Sequence, residues 1–135
     1  MRDRLARLAR LTRVHEALGA AAEARLAALL RQDEALRDTQ SRIIAMTTDP
    51  FSPGAGLYAS ALRRTADIAA ERDLIAGKID DERRALSDAR RKAKSARRLS
   101  DARARALRDS EERASLFEVA SSLTWPPVSR KPRNP

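Results

Sequence analysis

The 135-residue chain is one domain by size, and with no cysteine it excludes disulfides and thiolate metal sites. Its 42% hydrophobic content is carried by Ala and Leu, with Phe51, Tyr58, Phe117 and Trp125 as the aromatic residues, a composition that suits long helices better than a globular core. The net charge of +9 directs attention to acidic partners or polyanions. No run approaches the ~20 apolar residues that cross a bilayer, and Met1 to Arg13 lacks a signal-peptide core, so a soluble, cytoplasmic product is expected.

The first helix is predicted over residues 2–46. Leu11, Val14, Leu18, Ala22, Leu29, Leu36 and Ile43 recur at spacings of three, four and seven, and define its packing face. Asp33 and Gln40 interrupt that face. Gly19 is a local weakness of ~1 kcal/mol against alanine, and Ala20 to Ala22 beside it let a neighbouring helix approach. Residues 47–56 form the loop. Pro50, Pro53, Gly54 and Gly56 end a helix decisively. A short loop between long helices leaves them antiparallel neighbours. The alternative, two separate helices in a parallel oligomer, is the weaker reading.

The second helix is predicted over residues 57–122, the longest uninterrupted stretch of the chain. Between Leu62 and Phe117 it holds no proline and no glycine except Gly77. One seam reads Ile68, Ile75, Ala89, Ala96 and Phe117, and its companion reads Ile79, Leu86, Ala93, Leu107 and Ala114. The seven-residue spacing is that of a helix packing lengthwise on another helix. Arg72, Glu82, Ser100, Arg103 and Ser110 fall on the same seam and imply moderate stability. At helical rise, fifty-odd residues span about 80 Å, and such a rod encloses no pocket. The end beyond about Leu107 is expected to project past the start of helix one. Residues 124–135 read as a Pro- and Arg-rich disordered tail. The whole is an all-α protein: an antiparallel coiled-coil hairpin over residues 1–123, then a flexible tail.

The residues offer no catalytic set, no metal site and no cofactor site. His15 is the single histidine, with a structural or exposed role near the packing face. Asp80, Asp81 and Glu82 read as a solvated face. Gly54 and Gly56 follow no strand and precede no Lys-Ser pair, so they form no phosphate loop. Binding is left to two features. Arg83, Arg84, Arg90, Arg91, Lys92, Lys94, Arg97, Arg98, Arg103, Arg105 and Arg108 face only Asp88 and Asp101. They are either a solvated coiled-coil surface or a site for an acidic protein or a polyanion. With no helix-turn-helix, zinc motif or aromatic platform, specific base readout is not expected. Near the loop, Ile43, Ile44, Met46, Phe51, Leu57, Tyr58 and Leu62 either staple the turn or form an exposed apolar patch.

The layout resembles the FliJ/YscO family, the small stalk proteins of flagellar and injectisome type III export machines. The resemblance rests on a basic helix–loop–longer helix–tail order covering almost the whole chain, on Leu57-Tyr58 opening the second helix with Leu62 behind, and on the segment Glu112-Arg113-Ala114-Ser115-Leu116-Phe117-Glu118-Val119-Ala120. It implies a non-enzymatic stalk without cofactors, peripheral to the inner-membrane export apparatus. Its partners are a hexameric export ATPase, a membrane export gate and export chaperones, with no small-molecule substrate. By position, the ATPase-binding end comprises Arg4, Leu5, Leu8, Arg10, Leu11, Arg103, Leu107 and Arg108. The gate-binding strip comprises Gln40, Ile44, Tyr58, Leu62, Ala66 and Ala69, where alanine stands in for the family's larger residues. The rival reading is a basic coiled coil that binds nucleic acid or another polyanion. A third is an oligomeric scaffold or membrane-surface helix, which light scattering tests.

Overall fold

The computed structural model describes residues 2–48 and 55–124. They form two helices, α1 (Arg2–Thr48) and α2 (Ala55–Thr124), packed against each other as a helical hairpin. Both stretches are rich in Ala, Leu and Arg, the strong helix formers, and neither contains proline. The helices extend two residues beyond the expected bounds at three of their ends. Thr47 and Thr48 are helical because their hydroxyls donate to the Ile44 carbonyl at 2.9 and 3.1 Å, binding the last turn to the one before. Ala55 and Gly56 are already helical, and α2 is described as far as Thr124. The expected loop residues 49–54, with Phe51, and the tail from Trp125 lie outside the described residues.

Contacts divide the chain into two units. The first comprises residues 1–12 and 94–135, the second residues 13–93.

In the second unit one row of α1 residues withdrawn from solvent is His15, Gly19, Ala22, Leu26, Leu29, Asp33, Leu36, Gln40 and Ile43, with Ala27, Thr39 and Thr47 part-buried beside it. On α2 the row is Ala61, Thr65, Ile68, Arg72, Ile75, Ile79, Glu82, Leu86, Ala89 and Ala93. Both rows step alternately by three and four, the signature of coiled-coil packing. Gly19 lies against Ala89 and Leu86, Arg25 meets Glu82, and Asp33 meets Arg72, so the helices run antiparallel. The isoleucines form the core: Ile68 is completely buried, with Ile75 and Ile79 close behind. The predicted α2 seam is observed here. The predicted α1 face holds from Ala22 onward and fails before it, since Val14 and Leu18 are half exposed. The seam positions there belong to His15 and Gly19. Gly19, without a side chain, matches α1 to the Leu86 and Ala89 side chains opposite.

In the first unit, Leu5, Leu8, Ala9 and Thr12 of α1 and Ala96, Ser100, Ala104 and Leu107 of α2 are the residues withdrawn from solvent. Thr12 is buried and donates its hydroxyl proton to the Leu8 carbonyl at 2.9 Å, which satisfies a polar group inside the seam. Leu11, predicted on the packing face, is 48% exposed and lies off the observed seam. Arg103 is exposed and Ala104 takes its place, because a 3.6-residue helix drifts off a strict seven-residue repeat. Ser110, Ala114 and Phe117, predicted on the seam, are also exposed, Phe117 to 74%. Their cause is geometric. Arg2, at the start of α1, pairs with Glu111 at 3.5 Å, so α2 beyond that point has no described α1 residue opposite it.

Candidate interaction surfaces

The polar seam positions of the second unit form two cross-helix links. Arg72 donates from Nε to Asp33 Oδ1 at 3.0 Å and from Nη1 to Gln40 Oε1 at 3.1 Å. Asp33 and Gln40 are one heptad apart, so a single guanidinium spans successive layers of α1. Arg25 Nε donates to Glu82 Oε1 at 2.9 Å, while Glu82 Oε2 is buried without a hydrogen-bond partner. Glu82 is thus part of the seam, in contrast to Asp80 and Asp81, which are solvated as expected. His15 is half-buried with Nδ1 enclosed and unpartnered, which fits a structural place on the packing face.

Of the residues assigned to the export-gate strip, Gln40 and Ala69 line one shallow groove together with Asp33, Arg72, Asp73, Ala76 and Ile79. Gln40 is half-buried and already engaged by Arg72. Ile44, Tyr58, Leu62, Ala66 and Ala69 are exposed. Tyr58, Leu62, Ala66 and Ala69 follow one another at helical spacing on α2, beside the seam row Ala61, Thr65 and Ile68. Met46 and Leu57 are exposed as well. Among the described residues, the apolar side chains near the end of α1 and the start of α2 are open to solvent, with Ile43 partly withdrawn. Phe51 is outside the described residues.

All eight residues assigned to the ATPase-binding end fall in the first unit. Leu5, Leu8 and Leu107 are half-buried in the helix packing and so are only partly available to a partner. Arg4, Arg10, Leu11, Arg103 and Arg108 are exposed. Within this unit, residues 2–12 and 94–108 carry ten basic and two acidic side chains. That concentration of one sign produces a local field that attracts acidic partners over a Debye length of ~8–10 Å. The following stretch reverses sign, with Asp109, Glu111, Glu112 and Glu118 against Arg113.

The basic residues of α2 from Arg83 to Arg108 are exposed. Arg90 pairs with Glu23 at 3.6 Å and Lys92 with Asp88 at 3.1 Å, both in water and worth little. Among the described residues, Arg83, Arg84, Arg91, Lys94, Arg98, Arg103, Arg105 and Arg108 carry no ion pair.

The apolar stretch from Leu116 to Leu123 is legible in the sequence, and the structure leaves it open: Leu116, Val119 and Leu123 are exposed on α2 beyond the pairing of Arg2 with Glu111, and Leu99 is exposed before it. Among the described residues no three His, Asp or Glu side chains cluster to hold a metal ion. No described helix is long and apolar enough to cross a membrane. Comparison with protein families, curated proteins and solved structures finds no match to this chain.

Proposed function

We propose that this chain is a non-enzymatic stalk or adaptor of a type III protein export apparatus of the flagellar kind. In this reading it sits in the cytoplasm against the inner-membrane export apparatus, places its terminal end in a hexameric export ATPase, and meets the export gate near the hairpin turn. Export chaperones are further partners. The observation that carries the reading is the antiparallel packing of two long helices on a seam of small and polar residues, with the positive charge gathered in the unit that contains the start of α1. A two-helix shaft about 20 Å across, twice the ~10–12 Å of one helix, is a plausible plug for a ring. Basic side chains such as Arg4, Arg103 and Arg108 would meet an acidic pore lining, which raises the association rate more than the affinity. Ile44, Tyr58 and Leu62 supply the apolar contact near the turn. The polar seam suits a shaft that repacks as it meets successive subunits. Uniformly slow amide exchange, like that of a continuous leucine zipper, would remove that last point.

The test is ATP turnover by the partner ATPase with and without this protein. Stimulation is expected, and Arg103→Glu with Arg108→Glu should weaken it while far-UV circular dichroism is unchanged. No stimulation over a wide range of concentrations would refute the reading. The unpaired arginines of α2 support a second reading, a polyanion-binding coiled coil. Salt separates the two: non-specific nucleic-acid binding should fall by orders of magnitude between about 50 and 200 mM salt. A ring partner held by apolar contacts should remain bound.

A further inference from the structure

Residues of α2 that take no part in the hairpin seam form a second periodic stripe within the first unit. It starts at Leu99 and ends at Leu123, and its steps alternate three and four residues. Every residue on it is exposed, including Leu99, Leu116 and Leu123 at 55%, 69% and 81%. It lies on the side of α2 away from Ala96, Ser100, Ala104 and Leu107, which face α1. We infer that this stripe is a self-association surface, on which a second copy of the chain docks antiparallel through the same residues.

The choice of occupant comes from the order of residues along the stripe. Asp109 and Arg113 stand at its middle. Ala106 and Leu116 are the next pair outward, then Ala102 and Ala120. Leu99 and Leu123 close it. Under a two-fold axis at position 111, Asp109 meets Arg113 of the second copy, Ala106 meets Leu116, and Leu99 meets Leu123. Leucine thus faces leucine at the two ends, alanine faces alanine in the next layer and leucine faces alanine beside the centre, on either side of two opposite-charge contacts. Each stripe residue meets its mate in the alternating layers of an antiparallel two-helix coil. The interface is isologous, as a two-fold dimer requires, and it overlaps the helices by about 36 Å.

Charge also rejects the competing arrangements. A parallel pairing in register sets Asp109 against Asp109 and Arg113 against Arg113. An antiparallel pairing slipped by one heptad sets both charges against alanine or leucine. Polar residues inside an otherwise apolar stripe specify register and orientation in this way. Asp109 and Arg113 are four residues apart on one helix, yet among the described residues neither makes an ion pair. Both are available to the second copy. A second copy offers Asp109 an arginine and Arg113 an aspartate in one symmetric contact, and this charge complementarity assigns it as the occupant. The few large side chains make the association weak and reversible. The inference does not rest on the export reading, since it concerns the isolated chain.

Sedimentation equilibrium of the full chain from micromolar to millimolar concentration tests it. The weight-average mass should rise towards that of a dimer. Arg113→Asp alone should abolish the rise by opposing like charges. Asp109→Arg combined with Arg113→Asp should restore it, because the swap returns opposite charges to the same places. Both positions are solvent-facing, so helix content should not change. For register, a chain carrying Ala106→Cys is mixed with one carrying Leu116→Cys and treated with a short bis-maleimide. The chain has no native cysteine to interfere. Unlike chains should cross-link in preference to like ones. A monomeric mass at every concentration, a charge swap that fails to restore the dimer, or predominantly like-with-like cross-links would overturn the inference.

Discussion

Replacing Gly19 by alanine probes the seam at the point where α1 offers no side chain. Gly19 is buried, and a Cβ built there would stand 3.8 Å from Ala89 Cβ and 4.0 Å from Leu86 Cδ1. Both are ordinary van der Waals distances, so the methyl group is accommodated without displacing either neighbour. Two gains then add. Glycine in a helix interior costs about 1 kcal/mol relative to alanine, and burying one further methyl contributes up to ~0.8 kcal/mol. Gly77 separates these terms, because a Cβ there meets nothing within 4 Å. Gly77→Ala should therefore stabilise by about 1 kcal/mol, and Gly19→Ala by roughly 1.5 kcal/mol. Urea denaturation followed by far-UV circular dichroism reads both. With a slope of ~1–3 kcal/mol/M, the Gly19→Ala midpoint should rise by about 0.5–1.5 M. If Gly19→Ala lowers the midpoint while Gly77→Ala raises it, the helices approach more closely there than the seam geometry allows, and the assigned packing is wrong.

Ile68→Ala, at a large side chain that is completely buried, should cost about 2–4 kcal/mol, whereas Leu74→Ala at a 70% exposed position should change stability by less than about 0.5 kcal/mol. Equal losses in the same denaturation assay would contradict the core placement. Glu82→Leu should stabilise by about 1 kcal/mol, because it fills a seam position whose present occupant buries an unpartnered oxygen. A lower melting temperature would show that the Arg25 link matters more than the buried charge costs. Arg72→Ala should destabilise by about 1–2 kcal/mol by leaving Asp33 and Gln40 without their shared donor. Arg72→Lys should recover only part of that loss, since an ammonium lacks the guanidinium fork that reaches both acceptors. Full rescue by lysine would reduce the link to simple charge.

The hairpin was legible because its signals are coarse. Two prolines and two glycines interrupt one place in an otherwise helix-forming chain, and Ile68, Ile75 and Ile79 mark a seam by size alone. The start of α1 was misread for the same reason. Leu11, Val14 and Leu18 are the large residues there, but the seam runs through Leu5, Leu8, Thr12, His15 and Gly19. A packing face cannot jump around a continuous helix, so extending the repeat backward from Ala22 by threes and fours reaches those residues. Side-chain size suggested otherwise because the local partners, Leu86 and Ala89, fill space that α1 leaves empty. Phe117 was misplaced because periodicity reports where a seam would continue, not whether a partner is present. That depended on the pairing of Arg2 with Glu111, which no local pattern encodes. The assigned surface residues were recovered as exposed mainly where they fell off the seam. Leu5, Leu8, Leu107 and Gln40 did not, since the hairpin itself uses them.

The antiparallel arrangement also dictates an order of assembly. The hydrogen bonds of Arg72 to Gln40 and to Asp33 join residues 32 and 39 apart in sequence, and that of Arg25 to Glu82 joins residues 57 apart. The contact of Arg2 with Glu111 spans 109. Loop-closure entropy grows slowly with length, yet each inner rung already formed shortens the effective loop for the next. Folding should therefore advance like a zip from the turn towards the termini, and fraying should retrace it from the opposite end. A ribosome releasing the chain would hold α1 complete but without its mate until well into α2, and its two terminal stretches would be the last to meet.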